Sequence, residues 1–341
     1  MKAVLCTGRG GPGDLVVADV EPLEAGPGEI VIDVHVAGVN FPDILITQGK
    51  YQFSPAFPFS PGSEVAGIVK SVGAGVTQLQ EGMRVMAFDS HGGFAQEMKV
   101  AAFRAVPIPS SMHFSEAGGF LVAYGTGYHA LNGRAAIRPG ETLLVLGAAG
   151  GVGLAAVEIG RALGCRVIAA ASTTEKLRLA VEHGATDIVN YAEEDLKTRV
   201  RELTQTAGVD VVYDPVGGAL TEQALRTTRW GGRHLMLGFA SGEIPKIPAN
   251  LPLVKGSSLV GVSFNTFVGK EPKQFQLDVL SLGDLHARGS LRPHISGVFS
   301  LEQVPQALAE LQHRRVVGKA VVYVRQEAWE SDQRRTAQFT A

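Results

Sequence analysis

The sequence predicts an α/β protein in which a doubly wound, six-stranded parallel sheet is inserted into a mostly antiparallel, barrel-like β domain. Residues 1–118 read as short strands separated by glycine-rich turns, whereas residues 119–263 alternate between apolar strands and helical segments. Short strands at close spacing are typical of an antiparallel domain, and strand–helix alternation is typical of a parallel sheet with crossover helices. We expect residues 264–326 to complete the first domain and residues 327–341 to form a polar tail.

The composition excludes several classes of protein. The chain has 341 residues, with 31 Lys and Arg against 33 Asp and Glu, and no long basic stripe, so neither nucleic acid nor membrane is expected as a partner. No long apolar run and no secretory signal are evident. The two cysteines, Cys6 and Cys165, are far apart and are interpreted as free thiols of a reducing compartment. A cytoplasmic protein is therefore predicted.

The strands of the first domain follow from period-two patterns. In "EIVIDVHVAGV", residues 29–39, apolar residues alternate with Asp33 and His35, as expected of a half-buried strand. "GSEVAGIVKSVGAGV", "GMRVMAF" and "GGFAQEMKVAA" predict further short strands. "KAVVYV", residues 319–324, predicts a strand that returns to this domain from the other end of the chain.

The pattern changes near Ser115, where "SEAGGFLVAYGTGYHALNG" predicts a helix with Ser115 as its N-cap. Strands and helices then alternate, which describes a doubly wound parallel sheet. The predicted strands are Leu143–Leu146, Val167–Ala171, Ile188–Tyr191, Val209–Tyr213, His234–Gly238 and Leu259–Val262, and the helices begin near Val152, Thr174, Asp195, Leu220 and, after the sixth strand, Pro272.

A glycine-rich turn, "AAGGVG", lies between the first of these strands and its helix. The order fits a dinucleotide fingerprint with alanine in the first glycine position: Gly150 would let backbone approach a pyrophosphate, and Gly153 would let the helix pack on the strand. The helix N-terminus adds free N–H groups for phosphates. The alternative is tight helix–sheet packing without a ligand. The expected cofactor contacts are Ala149, Gly150, Gly151, Val152 and Gly153.

The second strand ends without an acid. NAD-binding sheets carry an Asp or Glu there, ~20 residues beyond the turn, for the ribose 2′-OH. Here "RVIAAAS" ends at Ser172, and "STTEK" adds Lys176, whose charge suits a 2′-phosphate. NADPH is therefore the predicted cofactor, held by Ser172 and Lys176. In the alternative interpretation, Thr173 or Thr174 caps the next helix and Lys176 is simply solvated.

Several segments match a known family in order and spacing. They are "AGVNFPD", "PFSPGSEVAGIVKSVG", "GGFAQE", "YGTGYHAL", "AAGGVGLAAVEIGRALG", "GATDIVNY", "VVYDPVGG" and "VGKAVV". Over residues 1–325 the chain resembles the zinc-free medium-chain dehydrogenase/reductase superfamily, in the quinone reductase branch that includes zeta-crystallin. The resemblance implies a GroES-like catalytic domain around an inserted Rossmann dinucleotide-binding domain.

A comparison with the alcohol dehydrogenases of that superfamily implies a site without metal. Those enzymes have a cysteine where this chain has Asn40, and a histidine where it has Ser63. Zinc needs a convergent set of thiolate, imidazole or carboxylate ligands, and Glu64 alone does not provide one. Without zinc as a Lewis acid, the reaction must begin from an activated acceptor.

The resemblance implies hydride transfer from NADPH to a quinone or another α,β-unsaturated carbonyl compound. An enoyl thioester reductase is the alternative enzyme, although related reductases use a tyrosine at the position of Leu45. An NADPH-binding protein with incidental catalysis is the alternative from another class. Asn40 and Tyr51 are the expected catalytic residues, the first as substrate contact or helix N-cap, the second as proton donor or packed loop aromatic.

Further contacts are carried over from the resemblance. Thr126 is expected beside the nicotinamide, with a hydrogen bond to its own helix backbone as the alternative. Tyr191 is expected near the adenosine phosphate, and the backbone of Val216 and Phe264 near the ribose and carboxamide. "NLPLVKGSSLVGVSF" is the stretch through which such sheets pair edge to edge, so a homodimer is expected.

Overall fold

The computed structural model describes residues 1–326 and 328–330, so most of the predicted polar tail lies outside the described residues. The chain forms two units. Unit 1 comprises Met1–Val122, Asn265–Gly283 and the described residues from Pro293 onward, and unit 2 comprises Ala123–Phe264 and Asp284–Arg292.

Fifteen strands are present in these residues. In chain order they are β1 Lys2–Leu5, β2 Val16–Asp19, β3 Glu29–Val39, β4 Glu64–Val72, β5 Arg84–Phe88, β6 Glu97–Ala101, β7 Ala105–Pro107, β8 Thr142–Leu146, β9 Arg166–Ala171, β10 Asp187–Asn190, β11 Val209–Asp214, β12 Thr228–Met236, β13 Ser258–Gly261, β14 Ile295–Ser300 and β15 Lys319–Tyr323.

The α-helices lie between these strands. They are α1 Phe41–Thr47, α2 Phe114–Gly118, α3 Thr126–Tyr128, α4 Gly151–Ala162, α5 Thr174–Glu182, α6 Leu196–Leu203, α7 Ala219–Thr227, α8 Asn250–Lys255, α9 Phe264–Lys270, α10 Pro272–Ala287 and α11 Val304–Gln312. Among the described residues, no helix combines the length and the apolar character that a membrane crossing requires.

Unit 1 is built around the long strand β3. Its seven-stranded sheet has the order β14-β15-β3-β4-β5-β7, with β6 also paired to β3, and only the β14–β15 pair is parallel. The predicted alternation along β3 is confirmed, since Asp33 and His35 are half-buried while the apolar residues around them are buried. The predicted return strand is confirmed as β15, and its register places Ala320 opposite Val39. The two ends of the chain therefore share one sheet.

Unit 2 contains the predicted six-stranded parallel sheet. Its order is β10-β9-β8-β11-β12-β13, and every pair is parallel. The order reverses between β8 and β11, and ligands of such sheets bind beyond the carboxyl ends of the strands at that switch point. The glycine-rich turn follows β8, so the fold places it there.

The predicted start of the helix near Ser115 is wrong by two residues. Helix α2 begins at Phe114 with His113 as its N-cap, and the Glu116 carboxylate accepts a hydrogen bond of 2.9 Å from the His113 N–H. The reciprocal spacing of a capping box is therefore present, but with histidine in place of the usual serine or threonine. Beyond α2, two π-helical stretches, Leu121–Gly125 and His129–Arg134, flank α3.

Candidate cofactor and catalytic sites

The glycine-rich turn after β8 leads directly into helix α4. Gly147 adopts φ +59°, a left-handed conformation that favours glycine, and the N–H of Gly150 donates to the Gly147 carbonyl at 3.0 Å. Helix α4 then begins at Gly151, and its N-cap, Gly150, has no side chain to bind the first N–H groups. Those N–H groups and the positive end of the helix dipole are available to an anion.

Gly150 and Gly153 differ in whether the surrounding structure has room for a side chain. A Cβ on Gly153 would overlap the carbonyl oxygen of Gly147, so helix α4 could not pack this closely on β8 with any other residue. A Cβ on Gly150 would meet only the Gly147 oxygen, at an ordinary 3.4 Å, and Gly150 has a negative φ of −79°. The packing of the protein itself therefore does not require glycine at position 150.

Ser172 and Lys176 lie at the carboxyl edge of the same sheet. Ser172 directly follows β9, is half-buried, and its hydroxyl makes no hydrogen bond to a described residue. Lys176 lies in the first turn of α5, where its N–H donates to the Thr173 hydroxyl at 3.3 Å. The N–H of Tyr191 donates to the carbonyl of Ala171 at 3.1 Å, which fixes Tyr191 beside this strand end. Thr173 therefore caps α5, as the alternative interpretation predicted. The Ser172 hydroxyl nevertheless remains available to a ligand.

Thr126 and Phe264 lie on neighbouring parts of unit 2. The ring of Phe264 covers Gly125, because a Cβ on Gly125 would lie 2.6 Å from the ring carbon Cζ. The half-buried Thr126 hydroxyl has no partner among the described residues, so the alternative of a bond to its own backbone is not observed. Irregular π-helical turns on both sides of α3 distort the backbone at this point, as is frequent at functional sites.

Asp214, which the sequence analysis did not single out, organises the turn after β11. Its carboxylate accepts hydrogen bonds from the N–H of Val216 and Gly217, each at 2.9 Å, from the Thr221 hydroxyl at 2.6 Å, and contacts His234 Nε2 at 3.1 Å. Burial alone would raise the pKa of Asp214, but the bonds from His234 and Thr221 hold it below its usual value. The Val216 carbonyl accepts from Ser241 at 2.8 Å, so Val216 is held from both sides.

Unit 1 contains a buried polar cluster around Asn40. The ammonium of Lys319 donates to Asn40 Oδ1 at 2.7 Å, to Glu64 Oε1 at 2.7 Å and to the Val39 carbonyl at 3.1 Å. Asn40 Nδ2 donates to Glu64 Oε1 at 2.9 Å and has longer contacts, both 3.4 Å, with the Gly38 carbonyl and Ser63 Oγ. The amide of Asn40 is therefore oriented by two charged groups.

Asp43 belongs to the same cluster. As predicted, Asn40 is the N-cap of α1; its N–H donates to Asp43 Oδ2 at 2.8 Å. Complete burial raises the pKa of Asp43 to about 7, against the lowering effects of that hydrogen bond and of the Lys319 charge. One ammonium compensates one carboxylate in this interior, and Glu64, in direct contact with Lys319, is that carboxylate. The second carboxyl group therefore retains its proton to near-neutral pH.

The residues at this place do not fit a zinc ion. Asn40 and Ser63 supply a neutral amide and a hydroxyl where thiolate and imidazole would be needed. The remaining carboxylate of Glu64 receives the Lys319 ammonium on one oxygen and the Val122 N–H, at 2.9 Å, on the other. Throughout the described residues, moreover, no group of three or more His, Cys, Asp and Glu side chains is placed to hold a metal.

Tyr51 lies after α1 and packs against the hydrophobic core of unit 1. Its phenol makes no hydrogen bond within the described part of the chain. Burial, and then the nearby carboxyl group of Asp43, raise the pKa of Tyr51 above its ordinary value. The phenol is thus protonated at neutral pH and able to donate a proton.

An aromatic patch is formed by Phe53, Phe57, Phe59 and His91, which no local sequence pattern indicates. Ring centroids lie 5.8 Å apart for Phe53 and His91, 5.5 Å for Phe57 and Phe59, and 5.9 Å for Phe59 and His91. Burial lowers the pKa of His91 below its ordinary value, so its ring is neutral near pH 7. Phe53 and Phe57 are 43% and 38% exposed, which leaves apolar ring surface available to a ligand.

Comparisons with known proteins agree on one family. Residues 151–282 match the family model described as zinc-binding dehydrogenase, and residues 26–110 match the alcohol dehydrogenase GroES-like domain. The chain is 39% identical over 329 residues to the quinone oxidoreductase-like protein 2 homolog of Nematostella vectensis, covering 95% of this chain and 89% of the relative. It is 34% identical over 322 residues to the quinone oxidoreductase of Pseudomonas aeruginosa, covering 94% and 99%.

A solved structure gives the same result. The Escherichia coli quinone oxidoreductase, crystallised in complex with NADPH, matches with a TM-score of 0.90 at 28% identity, over 95% of this chain and 100% of that one. The fold and the sequence therefore point to the same group of proteins.

Proposed function

Because the chain belongs to the quinone oxidoreductase-like branch of the medium-chain dehydrogenase/reductase superfamily, we propose that it reduces quinones or other α,β-unsaturated carbonyl compounds with NADPH, without zinc. The observation that carries the proposal is the buried cluster of unit 1, where the Lys319 ammonium lies between Asn40 and Glu64. A site without a Lewis acid suits acceptors that are already electron-poor, and disfavours simple alcohols.

Support for NADPH comes from unit 2. Packing within the protein does not require glycine at position 150, which is consistent with a pyrophosphate beside this residue. The Ser172 hydroxyl is available, and no acid ends β9 to repel a 2′-phosphate. When bound there, NADPH supplies the hydride for the reduction. The protein contributes the phosphate contacts of the α4 N-terminus and a positive charge at Lys176.

Support for a planar, conjugated acceptor comes from unit 1. The exposed faces of Phe53 and Phe57 offer stacking surface, and the Tyr51 phenol offers a proton for the enolate or phenolate that a reduced acceptor becomes. One hydrogen of Asn40 Nδ2 binds Glu64, and the other, whose contacts are 3.4 Å long, is proposed to donate to the acceptor oxygen. Lys319 and Glu64 hold the amide in the orientation that makes this possible.

The proposal is tested by measuring cofactor oxidation with NADPH and NADH against a panel of quinones, enones, enoyl thioesters and simple alcohols, before and after exhaustive chelation. We expect quinones or enones to be reduced fastest and chelation to leave the rate unchanged. Faster enoyl thioester turnover would favour an enoyl thioester reductase, and tight NADPH binding without turnover a binding protein. Stoichiometric zinc whose removal abolishes activity would contradict the zinc-free mechanism.

We further propose that two copies pair through the edge strand β13. Among the described strands, β13 pairs only with β12, and Leu259 in β13 is 39% exposed. The preceding helix α8 adds Leu253 and Val254, which are 77% and 65% exposed. An apolar edge strand is a template for pairing with another chain. Analytical ultracentrifugation of wild type and Leu259→Glu is expected to give a dimer and a monomer; a monomeric wild type would refute the proposal.

A further inference from the structure

A polar cavity lies in unit 2 at the amino ends of the strands, opposite to the end at which the glycine turn lies. Its volume is about 200 Å³, and it is formed where β11 and β12 begin, by the ends of α6, α7 and α8. The glycine turn follows the carboxyl end of β8, so in a parallel sheet the two places lie at opposite ends of the strands. Its lining includes Arg201, Arg226, Thr228, Arg229, Trp230 and Lys255.

The lining of this cavity has an excess of positive charge. Arg226 is paired with Glu222 at 2.6 Å, and Arg229 with Asp210 at 2.7 Å. Arg201 makes no ion pair with any described residue, whereas Arg199 on the same helix pairs with Glu194 and Glu202. Two cations of the lining, Arg201 and Lys255, are therefore not neutralised, in a protein whose net charge is −2.

The neighbouring positive charges affect the protonation of Lys255. Its ammonium donates to the Thr228 carbonyl at 2.6 Å, which holds it over the cavity and leaves two N–H groups free for another acceptor. Burial, and then the charges of Arg201, Arg226 and Lys197, hold the pKa of Lys255 below its usual value. An anion in the cavity would relieve this repulsion.

Trp230 adds an aromatic surface at the same place. One face of its indole lies against Gly256, whose added Cβ would be 3.1 Å from the ring, so the side chain is held by the backbone. The indole is nevertheless 75% exposed. A large aromatic residue beside a group of cations is the combination that binds phosphates attached to a planar ring.

We propose that this cavity binds the phosphate groups of a phosphate-bearing small molecule, separately from the cofactor. Arg201, Arg226 and Lys255 provide the charge-assisted hydrogen bonds. A volume of about 200 Å³ is below the range of about 300–1,000 Å³ typical of whole drug-sized ligands, so the cavity holds the anionic group while any ring lies against Trp230 outside it.

Calorimetry tests this with inorganic phosphate, pyrophosphate, ADP and adenosine, titrated into protein saturated with nicotinamide cofactor at constant ionic strength. Saturation keeps these ligands out of the glycine turn. We expect pyrophosphate to bind and adenosine not to bind; ADP binding more tightly than pyrophosphate would assign the ring contact to Trp230. In a Trp329→Phe background, Trp230 is the sole tryptophan, and its fluorescence is expected to change with pyrophosphate in parallel.

Arg201→Gln is expected to weaken pyrophosphate binding about tenfold, the loss of one charge-assisted contact. Arg199→Gln is the matched control, because Arg199 lies on the same helix, pairs with Glu194 and Glu202, and does not line the cavity. The control is expected to bind as wild type does. The proposal is overturned if neither method detects saturable binding up to about 10 mM, if Arg201→Gln binds as tightly as Arg199→Gln, or if chloride competes as well as phosphate.

Discussion

The ammonium of Lys319 lies 2.7 Å from Oε1 of Glu64, and the two side chains are only 7% and 1% exposed. The residues are 255 positions apart in the sequence. Each is also bound to Asn40, so the pair fixes the residue proposed to contact the acceptor. In a buried pair of this kind, removing one partner is costly because the other charge is left uncompensated.

Lys319→Met is therefore expected to destabilise unit 1 by about 3–5 kcal/mol, the cost of breaking a buried ion pair. The double variant Glu64→Gln with Lys319→Met removes both charges, and we expect it to recover part of that loss. Urea unfolding followed by circular dichroism measures both. Additive losses in the double variant would show that the pair is not coupled.

The pH dependence of stability should report on Asp43. Its folded pKa of about 7 lies above the unfolded value of 3.8, so the folded state binds the proton more tightly. Protonation of Asp43 therefore stabilises the folded state by about 4 kcal/mol at a pH below the unfolded pKa. This stabilisation is lost as the pH rises through 7.

Asp43→Asn removes this titration while its amide oxygen can still accept the Asn40 N–H. The stability of the variant relative to wild type is thus expected to rise from about pH 4 to about pH 7 and to level off at higher pH. Thermal melts across that range measure it. A difference that is independent of pH would show that Asp43 is already ionised.

The two glycines of the turn should respond differently to alanine. Gly153→Ala places a Cβ on the Gly147 oxygen, so we expect a loss of about 1–3 kcal/mol in stability as well as of cofactor binding. Gly150→Ala meets no such contact and is expected to fold normally, yet to bind NADPH at least about tenfold more weakly. Melting temperatures and fluorescence titrations separate the two effects. Normal cofactor binding by Gly150→Ala would remove the pyrophosphate from this position.

Cofactor preference is expected to depend on Lys176. A charge-assisted contact to phosphate contributes roughly 1.5–3 kcal/mol, so Lys176→Ala should lower kcat/KM for NADPH by about 10- to 150-fold. NADH has no 2′-phosphate, and its kcat/KM should be nearly unchanged. Lys176→Glu should lower kcat/KM for NADPH further, because the new carboxylate would repel the 2′-phosphate. A wild type that prefers NADH, or equal losses for both cofactors, would make Lys176 an ordinary surface residue.

Tyr51→Phe keeps the ring packed on the core of unit 1 and removes only the phenol oxygen. General acid catalysis contributes about 10²–10⁴-fold, so we expect kcat for an enone to fall by about 10²-fold with little change in KM. Phe53→Leu, in the aromatic patch, is the contrasting variant and should raise KM instead. An unchanged kcat in Tyr51→Phe would assign the proton to solvent.

Local sequence signals predicted most of the fold. Strand periodicity and the glycine turn gave the six parallel strands, because both reflect backbone geometry that neighbouring residues determine. The start of α2 was misplaced because histidine is an unusual N-cap, although the three-residue spacing from His113 to Glu116 was present in the sequence. Boundaries of this kind depend on which of several polar residues the backbone selects.

The polar cluster could not be predicted in the same way. "VGKAVV" resembles a family segment, but nothing near it in the sequence indicates that Lys319 contacts Asn40. That contact follows from the register of β15 on β3, which aligns Ala320 with Val39. The aromatic patch and the polar cavity of unit 2 likewise combine residues from separate elements.

The position of β15 has a consequence for synthesis on the ribosome. Glu64 and Asn40 emerge 255 or more residues before Lys319, which at about 5–20 residues per second is a delay of roughly 13–50 s. During that time the nascent chain can complete the inserted sheet, whereas the growing first unit has an uncompensated acid and an unpaired edge on β3. We expect a nascent chain stalled with residue 292 outside the exit tunnel to bind the cofactor. We expect residues 1–122 to become protease-resistant only once Lys319 has also left the tunnel.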